Sequence, residues 1–555
     1  MFKNKIFKDL ISQRNLILGY DESKRPIFKP EDDEGYIEYK LRLDQIDRPK
    51  IDRMVTQMKY RLNEGKLAIG KYMAYYFLGI DDDGIAGFID KDILDKTISV
   101  IEDVASKSNA EIHSLECVQI DTNKYIAAVC VRKCCSDKYI NEYRVVMLGA
   151  SNHAKTTCIS YLTYNEKDNG NGSGRMVIFK HTHEQNTGVT SSIKHDIFGF
   201  KNSSVNNYKS SITWDKIVEN SSKIISIFDL PGSLKYMRTT TFGISALRAD
   251  LHVVTISIPD CYNEDKICIP SEITWAIEMS INLKIPIFVL FTKLDIASKK
   301  QHDDLIEYIS NFIKKFGKNL VCYGNSDTIS NDILYLAISN ITGENYDKFI
   351  QFLDRVSQIK SDKPVIVSND PEKVDFMIYD VINIREIGYI VSGIVISNSI
   401  KVGDKLFIGP IEGRFYPISV KSIRKKRLES NVIYPGESGS IEIKLKLDDI
   451  QSENNLNNIE IDKHMNILDE KTINKLTDYV YVKTNTIKNL IVGHQYMIYI
   501  DNLIEPAILT SIDNDNNICN FKFVKAHKVY VRSCTKCIIK SDPNYDFCVY
   551  GTCQI

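Results

Sequence analysis

The sequence predicts a multidomain protein: an α/β P-loop domain, preceded by an α+β domain and followed by two small β-barrels. Three observations lead there. Between Tyr143 and Val356, apolar strands alternate with amphipathic helical stretches, the pattern of a parallel sheet covered by helices. At the head of that region a strand runs into Gly149-Ala-Ser-Asn-His-Ala-Lys155-Thr156, a phosphate-loop-like turn that opens a helix. Beyond Pro364 the chain changes to short strands punctuated by glycine, the signature of small barrels.

A chain of 555 residues is too long for one core, and a prior of about 150 residues per domain suggests three or four. The expected domains are 1–140 (α+β), 141–360 (P-loop), 370–448 (first barrel) and 470–555 (second barrel). In the first, Met54, Met58 and Leu62 recur at helical spacing, with Gly65 as the expected stop. Tyr72 to Ile80 reads as a strand, Asp81 to Gly84 as its turn, Asp90 to Ser108 as a helix and Tyr125 to Val131 as a buried strand. The P-loop region offers strands at Arg144–Gly149, Lys223–Phe228, His252–Ile258, Ile285–Phe291 and Ile333–Ile338, and helices at Ser271–Leu283, Asp303–Phe316 and Asn345–Val356. Lys360 to Pro364 reads as a linker. The polar, Asn-rich stretch Leu447 to Asp478 reads as a boundary, and Val480, Tyr496 and Phe521 fall on strands of the last segment.

A net charge of -1 excludes a whole-chain electrostatic surface for nucleic acid, so any RNA contact must come from a local patch. No apolar run approaches the roughly 20 residues that span a bilayer, the N-terminus does not read as a signal peptide, and 13 scattered cysteines do not suggest a disulfide framework. A cytoplasmic protein without membrane contact is expected.

Three motifs carry the chemistry, each closing a predicted strand. In the first, the backbone of Gly149, Ala150, Ser151, Asn152, His153 and Ala154 would cradle phosphate at a helix N-terminus. Lys155 would reach the β- and γ-phosphates, and the hydroxyl of Thr156, followed by Thr157, would bind Mg2+. In the second, Asp229 of Asp229-Leu-Pro-Gly232 would hold Mg2+ through water, and Gly232 would let a backbone N–H approach the γ-phosphate. In the third, Thr292-Lys293-Leu294-Asp295, the carboxylate of Asp295 suits the paired N–H donors of guanine, which adenine lacks, while Lys293 packs along the base. Each alone is an ordinary turn or polar loop; their order along one alternating unit makes joint chance small. Ser339 and Asn340 offer a fourth contact to the guanine edge. Thr190, in the polar insert before Asp229, is a candidate switch threonine that orders with Mg2+ and the γ-phosphate. The expected ligands are GTP or GDP with Mg2+, and the metal-site residues are Thr156, Thr190 and Asp229.

With these motifs in view the chain resembles the eukaryotic GTP-binding proteins 1 and 2, relatives of elongation factor Tu. The likeness includes Glu34-Gly-Tyr-Ile-Glu-Tyr-Lys-Leu, Phe179-Lys-His-Thr-His-Glu, Ile338-Ser-Asn-Ile-Thr-Gly-Glu-Asn, Gly388-Tyr-Ile-Val-Ser-Gly and Val420-Lys-Ser-Ile-Arg-Lys-Lys-Arg. The Asn-, Ile-, Lys- and Tyr-rich composition fits a giant-virus member, which would act in the host cytoplasm. The resemblance implies a monomeric translational-type GTPase, switched by GTP and Mg2+, whose partners are the ribosome, tRNA or the mRNA-decay machinery. Two departures stand out. Family members carry a histidine after Asp-x-x-Gly that positions the attacking water; here it is Ser233, so slow hydrolysis is expected. Ala154 replaces the second glycine of the phosphate loop, which weakens binding if that position requires positive φ. A GTP-binding scaffold with little hydrolysis is the competing reading, and an ATPase is disfavoured by Asp295.

Other signals are weaker. His181, His183 and His195 fit no zinc spacing. Cys534, Cys537, Cys548 and Cys553 could bind zinc or pack as small core residues. The basic run Arg424-Lys-Lys-Arg427 reads as a solvated hairpin, with RNA phosphate as its functional alternative.

Overall fold

A computed structural model describes residues 2–554 except 3, 22–25, 33, 70–71, 88, 109, 134–138, 180–181, 211–212, 325–331, 359–372, 386–387, 446–459, 474–475, 485–489, 526 and 542–547. The expected linker Lys360 to Pro364 and His181 lie outside the described residues. The chain divides into two compact units, 1–135 and 136–555.

In the first unit the strand Met73–Leu78 is buried throughout. Side chains of a strand alternate between faces. Ala74, Tyr76 and Leu78 therefore enter a core with the helices Arg48–Ile69 and Lys91–Lys107. Met73, Tyr75 and Phe77 enter a second core with Phe7 and Leu10 of helix Lys5–Arg14. The sheet between them runs Ile37–Lys40, Met73–Leu78, Lys124–Lys133, Ala110–Asp121. Gly65 does not stop its helix, which continues to Ile69. A mid-helix glycine costs about 1 kcal/mol, and packing outweighs that: Met54, Met58 and Leu62 are buried, and the buried Arg61 pairs with Glu31 at 2.8 Å and Glu38 at 2.5 Å.

In the second unit an eight-stranded sheet runs Leu320–Cys322, Ile333–Ala337, Ile287–Thr292, Leu251–Ser257, Glu142–Leu148, Lys223–Asp229, Lys194–Lys201, Ser204–Asn206. The first six strands are parallel. The sheet is not wholly parallel, because Lys194–Lys201 and Ser204–Asn206 join antiparallel at one edge. Six strands then close a barrel: Asp375–Ile384, Gly388–Ser397, Lys405–Ile411, Arg414–Lys425, Ser438–Leu445 and Asn466–Leu468. The last, from within the Asn-rich stretch, bridges Asp375–Ile384 and Lys405–Ile411. A second closed barrel comprises Tyr479–Lys483, Gln495–Ile500, Leu503–Asp513, Ile518–Phe523, Lys536–Ser541 and Cys548–Gln554.

The basic run in the first barrel is a hairpin, as expected, but only half of it is solvated. Lys425 is buried against Glu437 at 3.3 Å. Lys426 pairs with buried Glu142 of the P-loop strand at 2.7 Å, and Arg427 lies 4.6 Å from the Trp214 ring centroid. Arg424 and Arg427 are both exposed, Arg424 lying 3.6 Å from Glu429. Two of the four cations, Lys425 and Lys426, are thus spent on buried ion pairs within this unit.

Candidate functional site

The strand Glu142–Leu148 lies mid-sheet between Leu251–Ser257 and Lys223–Asp229. At such a point the connections leave in opposite directions and open a crevice beyond the carboxyl ends of the strands. Here the chain turns sharply into helix Lys155–Tyr164. Gly149 has φ +132°, and a Cβ there would collide with the Thr255 carbonyl. Asn152 and Ala154 also take positive φ, 65° and 63°. The position of Ala154 therefore does demand a left-handed residue, and alanine is strained by about 1–2 kcal/mol. Ala154→Gly is expected to stabilise the P-loop domain by roughly 0.5–1 kcal/mol after the added unfolded-state entropy of glycine is subtracted. A raised urea midpoint would bear this out; an unchanged or lowered one would contradict it.

The Lys155 ammonium is buried and donates to the carbonyls of Gly149 at 2.9 Å and Ala150 at 2.8 Å. Burial pushes its pKa down to about 8, against the pull of Asp229. Beside it the three expected metal-site residues converge. Thr156 Oγ1 donates to Asp229 Oδ2 at 2.6 Å and lies 3.0 Å from Thr190 Oγ1, which itself donates to Asp229 Oδ2 at 3.2 Å. Burial raises the Asp229 pKa, and Lys155 and the two hydroxyls oppose it. Asp229 Oδ1 is buried with no hydrogen-bond partner. Two hydroxyls and a carboxylate with an unused oxygen form a hard-oxygen donor set, which fits Mg2+. Gly232 completes this end: a Cβ there would meet Lys155 Nζ and the backbone of Gly149 and Ala150.

At the other end the Leu294 N–H donates to the Ile338 carbonyl at 3.1 Å and ties the two base-side loops together. Asp295 is exposed and lines the cleft with Lys293 and Asn340. Thr292 and Ser339 are buried beneath it: the Thr292 hydroxyl donates to the His153 carbonyl at 3.4 Å, and Ser339 Oγ accepts from the Ile341 and Thr342 N–H groups at 3.2 and 3.1 Å. The cleft has a volume of about 480 Å3 and takes in Ser151, Asn152, Ala154, Lys155, Thr156 and Thr157.

Two side chains turn away from the cleft. The His153 side chain is buried, with Nδ1 accepting from the Ser257 N–H at 2.8 Å. Burial and nearby Lys155 drive its pKa down to about 4, so it is a neutral core group at physiological pH. Ser233 is half-buried at the start of the turn Leu234–Tyr236 and does not line the cleft. Conversely, Asp168, Arg175 and Asp260 line it without any motif to mark them. Asp260 accepts from Ser257 Oγ and Lys293 Nζ, both at 2.5 Å, which holds Lys293 toward the base-side loop. Its location just past a central strand is the one sequence signal that could have singled it out.

The remaining metal signals disperse. His183 bonds Ser191 Oγ at 2.8 Å, and His195 stacks 4.3 Å from Phe228. Cys537 and Cys553 pack in the core of the second barrel and Cys534 is exposed; the side chain of Cys548 lies outside the described residues. Among the described residues no cluster of three His, Cys, Asp or Glu groups could hold a metal, and no helix is long and apolar enough to cross a membrane.

Residues 141–359 match the family described as "Elongation factor Tu GTP binding domain". Human GTP-binding protein 2 is 28% identical over 446 residues, covering 76% of this chain and 71% of that protein. GTP-binding protein 1 of Xenopus laevis is 30% identical over 414 residues, covering 71% and 60%. The chain belongs to the GTP-binding protein 1/2 family of elongation-factor-Tu-like GTPases. An uncharacterized protein of Acanthamoeba polyphaga mimivirus matches this family member in part, 36% identical over 117 residues, 21% of this chain and 60% of the viral one. Translation elongation factor SelB of Methanococcus maripaludis, solved with the GTP analogue GppNHp, shares the fold at a TM-score of 0.53 and 16% identity, over 75% of this chain and 80% of that one.

Proposed function

We propose that the cleft around Lys155 binds GTP and GDP with Mg2+, and that the chain is a GTP-controlled switch that hydrolyses GTP slowly. The convergence of Thr156, Thr190 and Asp229 beside a buried phosphate-loop lysine carries this reading. Lys155 exchanges its two carbonyl partners for β- and γ-phosphate oxygens. Thr156 and Asp229 would hold Mg2+, and Thr190 would complete the site when the γ-phosphate is present. Bound Mg2+ would neutralise charge on the β- and γ-oxygens. Asp295 accepts from the guanine N–H pair, while Lys293, steered by Asp260, packs along the base. Ser233 has a short, uncharged side chain where the family resemblance implies a water-positioning histidine, and it keeps hydrolysis slow. The kinship with SelB, a translation elongation factor, supports action on translation or RNA turnover, with the ribosome, tRNA or mRNA-decay factors as partners of a cytoplasmic monomer. The strain at Ala154 and the Ser233 replacement favour a second reading, a GTP-binding scaffold with little turnover.

Binding of fluorescent GDP and of a non-hydrolysable GTP analogue with Mg2+ tests the first reading. Micromolar or tighter binding is expected, competed by GTP and not ATP, and weakened at least about tenfold in Asp295→Asn. No binding by the wild type, or equal competition by ATP, would overturn it. Measurable binding with no single-turnover hydrolysis would select the scaffold.

A further inference from the structure

Arg175 stands in the stretch between the phosphate-loop helix and Thr190, on the short helix Ser173–Ile178. Its half-buried side chain lines the same cleft as Lys155, Thr190 and Gly232. Two glycines make room for it. A Cβ on Gly188 (φ +67°) would lie 3.0 Å from Arg175 Cζ and Nη1, and one on Gly172 (φ +84°) would lie 2.8 Å from Nη2. Gly188 is two residues before Thr190, so the guanidinium stands beside the segment that carries the switch threonine. The stretch is anchored to the base-side loop and braced internally. The Asp168 N–H donates to the Asn340 carbonyl at 3.1 Å, and the Asp168 carboxylate accepts from the Gly174 N–H at 3.0 Å and Ser173 Oγ at 3.3 Å.

The other cations of the cleft are engaged: Lys293 by Asp260, and Lys155 by two carbonyls. Among the described residues no carboxylate lies within ion-pair distance of Arg175. A half-buried guanidinium, held between two glycines and facing an anion-binding loop without a counter-charge, is poised for an anionic ligand.

We propose that Arg175 contacts the terminal phosphate of bound GTP and supplies, from within this chain, the positive charge that hydrolysis requires. The assignment rests on the guanine-nucleotide reading of the cleft. In the reaction the water oxygen bonds to the γ-phosphorus. The bond from that phosphorus to the β–γ bridging oxygen breaks, its electron pair stays on GDP, and the displaced proton leaves with phosphate and solvent. Charge spreads over the bridging and equatorial oxygens, and a planar guanidinium meets such oxygens with two parallel hydrogen bonds. With Ser233 neutral and outside the cleft lining, Arg175 carries the electrostatic part of catalysis that the serine cannot.

In the full-length protein loaded with GTP and Mg2+, Arg175→Ala should slow single-turnover hydrolysis on the order of 10²–10³-fold, while GDP affinity changes less than about threefold. Arg175→Lys should restore only part of the rate, because an ammonium lacks the fork. A second readout avoids turnover: GDP with aluminium fluoride, which mimics the phosphoryl group in transit, should form a tight complex with wild type alone and not with Arg175→Ala. Wild-type hydrolysis and wild-type aluminium fluoride binding in Arg175→Ala would overturn the assignment. A wild type that binds no guanine nucleotide would instead overturn the reading on which it rests.

Discussion

Arg532→Met should destabilise the second unit by about 3–5 kcal/mol, the usual cost of removing one partner from a buried ion pair. Arg532 is buried and meets both oxygens of Asp375, at 2.6 and 2.5 Å, the Asn466 side-chain oxygen at 2.6 Å and Asp501 at 3.2 Å. Asp501 also pairs with Arg248 of the P-loop domain at 3.2 Å, and the Tyr530 hydroxyl donates to Asp375 at 2.9 Å. Asp375 and Asn466 belong to the first barrel and Arg532 and Asp501 to the second, so one node of two arginines and two carboxylates ties three cores together. With methionine at 532, Asp375 keeps only Tyr530 and Asn466 loses its cation, yet neither can reach water. The urea midpoint should fall sharply, with both barrels and the P-loop domain losing structure together. Adding Asp375→Leu to Arg532→Met should recover much of the loss, since an apolar pair carries no buried charge. A single variant within about 1 kcal/mol of wild type would mean that water reaches the node, and would sink the idea that it fastens the domains.

That node was not visible in the sequence, whereas most of the elements were. The buried strands of the P-loop domain are continuous apolar runs, and the motifs that end them can be recognised without coordinates because a phosphate loop needs its residues adjacent in the chain. Thr156 and Asp229 could be named for the same reason, whereas Thr190 was named only from its place in the polar insert before Asp229. Arg532, Asp375, Asp501 and Arg248 are up to 284 residues apart (532 minus 248), and no local pattern distinguishes such partners from surface charges. The Arg424-Lys-Lys-Arg427 run shows the converse: composition read it as solvated, yet Lys426 is buried because Glu142 waits for it on another domain. Ala110–Asp121 and Leu320–Cys322 went unpredicted for simpler reasons, the first being polar on one face and the second only three residues long. At the candidate site the backbone loop was legible and the side-chain directions were not, which is why Arg175 and Asp260 were missed.

The second large effect should appear at Glu184, which positions Thr190 without touching the cleft. Glu184 is fully buried; one carboxylate oxygen accepts from the Ser191 N–H at 2.8 Å and Ser191 Oγ at 2.9 Å, and the other lies 2.8 Å from Lys194 Nζ. Lys194 begins the antiparallel strand Lys194–Lys201 and its ammonium rests 4.0 Å from the Phe179 ring centroid. The carboxylate therefore grips the chain on the residue directly after Thr190. Burial alone would raise its pKa, but Lys194 and the Ser191 donors prevail and bring it down to about 2. A carboxylate whose folded pKa lies below its unfolded value of about 4.5 contributes stability that is fully present above pH 4.5 and is lost as pH falls through 2. Glu184→Gln keeps the shape and removes the charge, leaving Lys194 buried without its counter-ion at a local cost of about 3 kcal/mol. Amide exchange at Ser191 should accelerate by about 10²-fold, by a constant factor above pH 4.5 that shrinks toward pH 2. If Thr190 closes on Mg2+ and the γ-phosphate, binding of the GTP analogue should weaken at least about tenfold more than binding of GDP. Equal losses for the two nucleotides would mean that this anchor shapes the cleft as a whole, and that Thr190 does not sense the γ-phosphate.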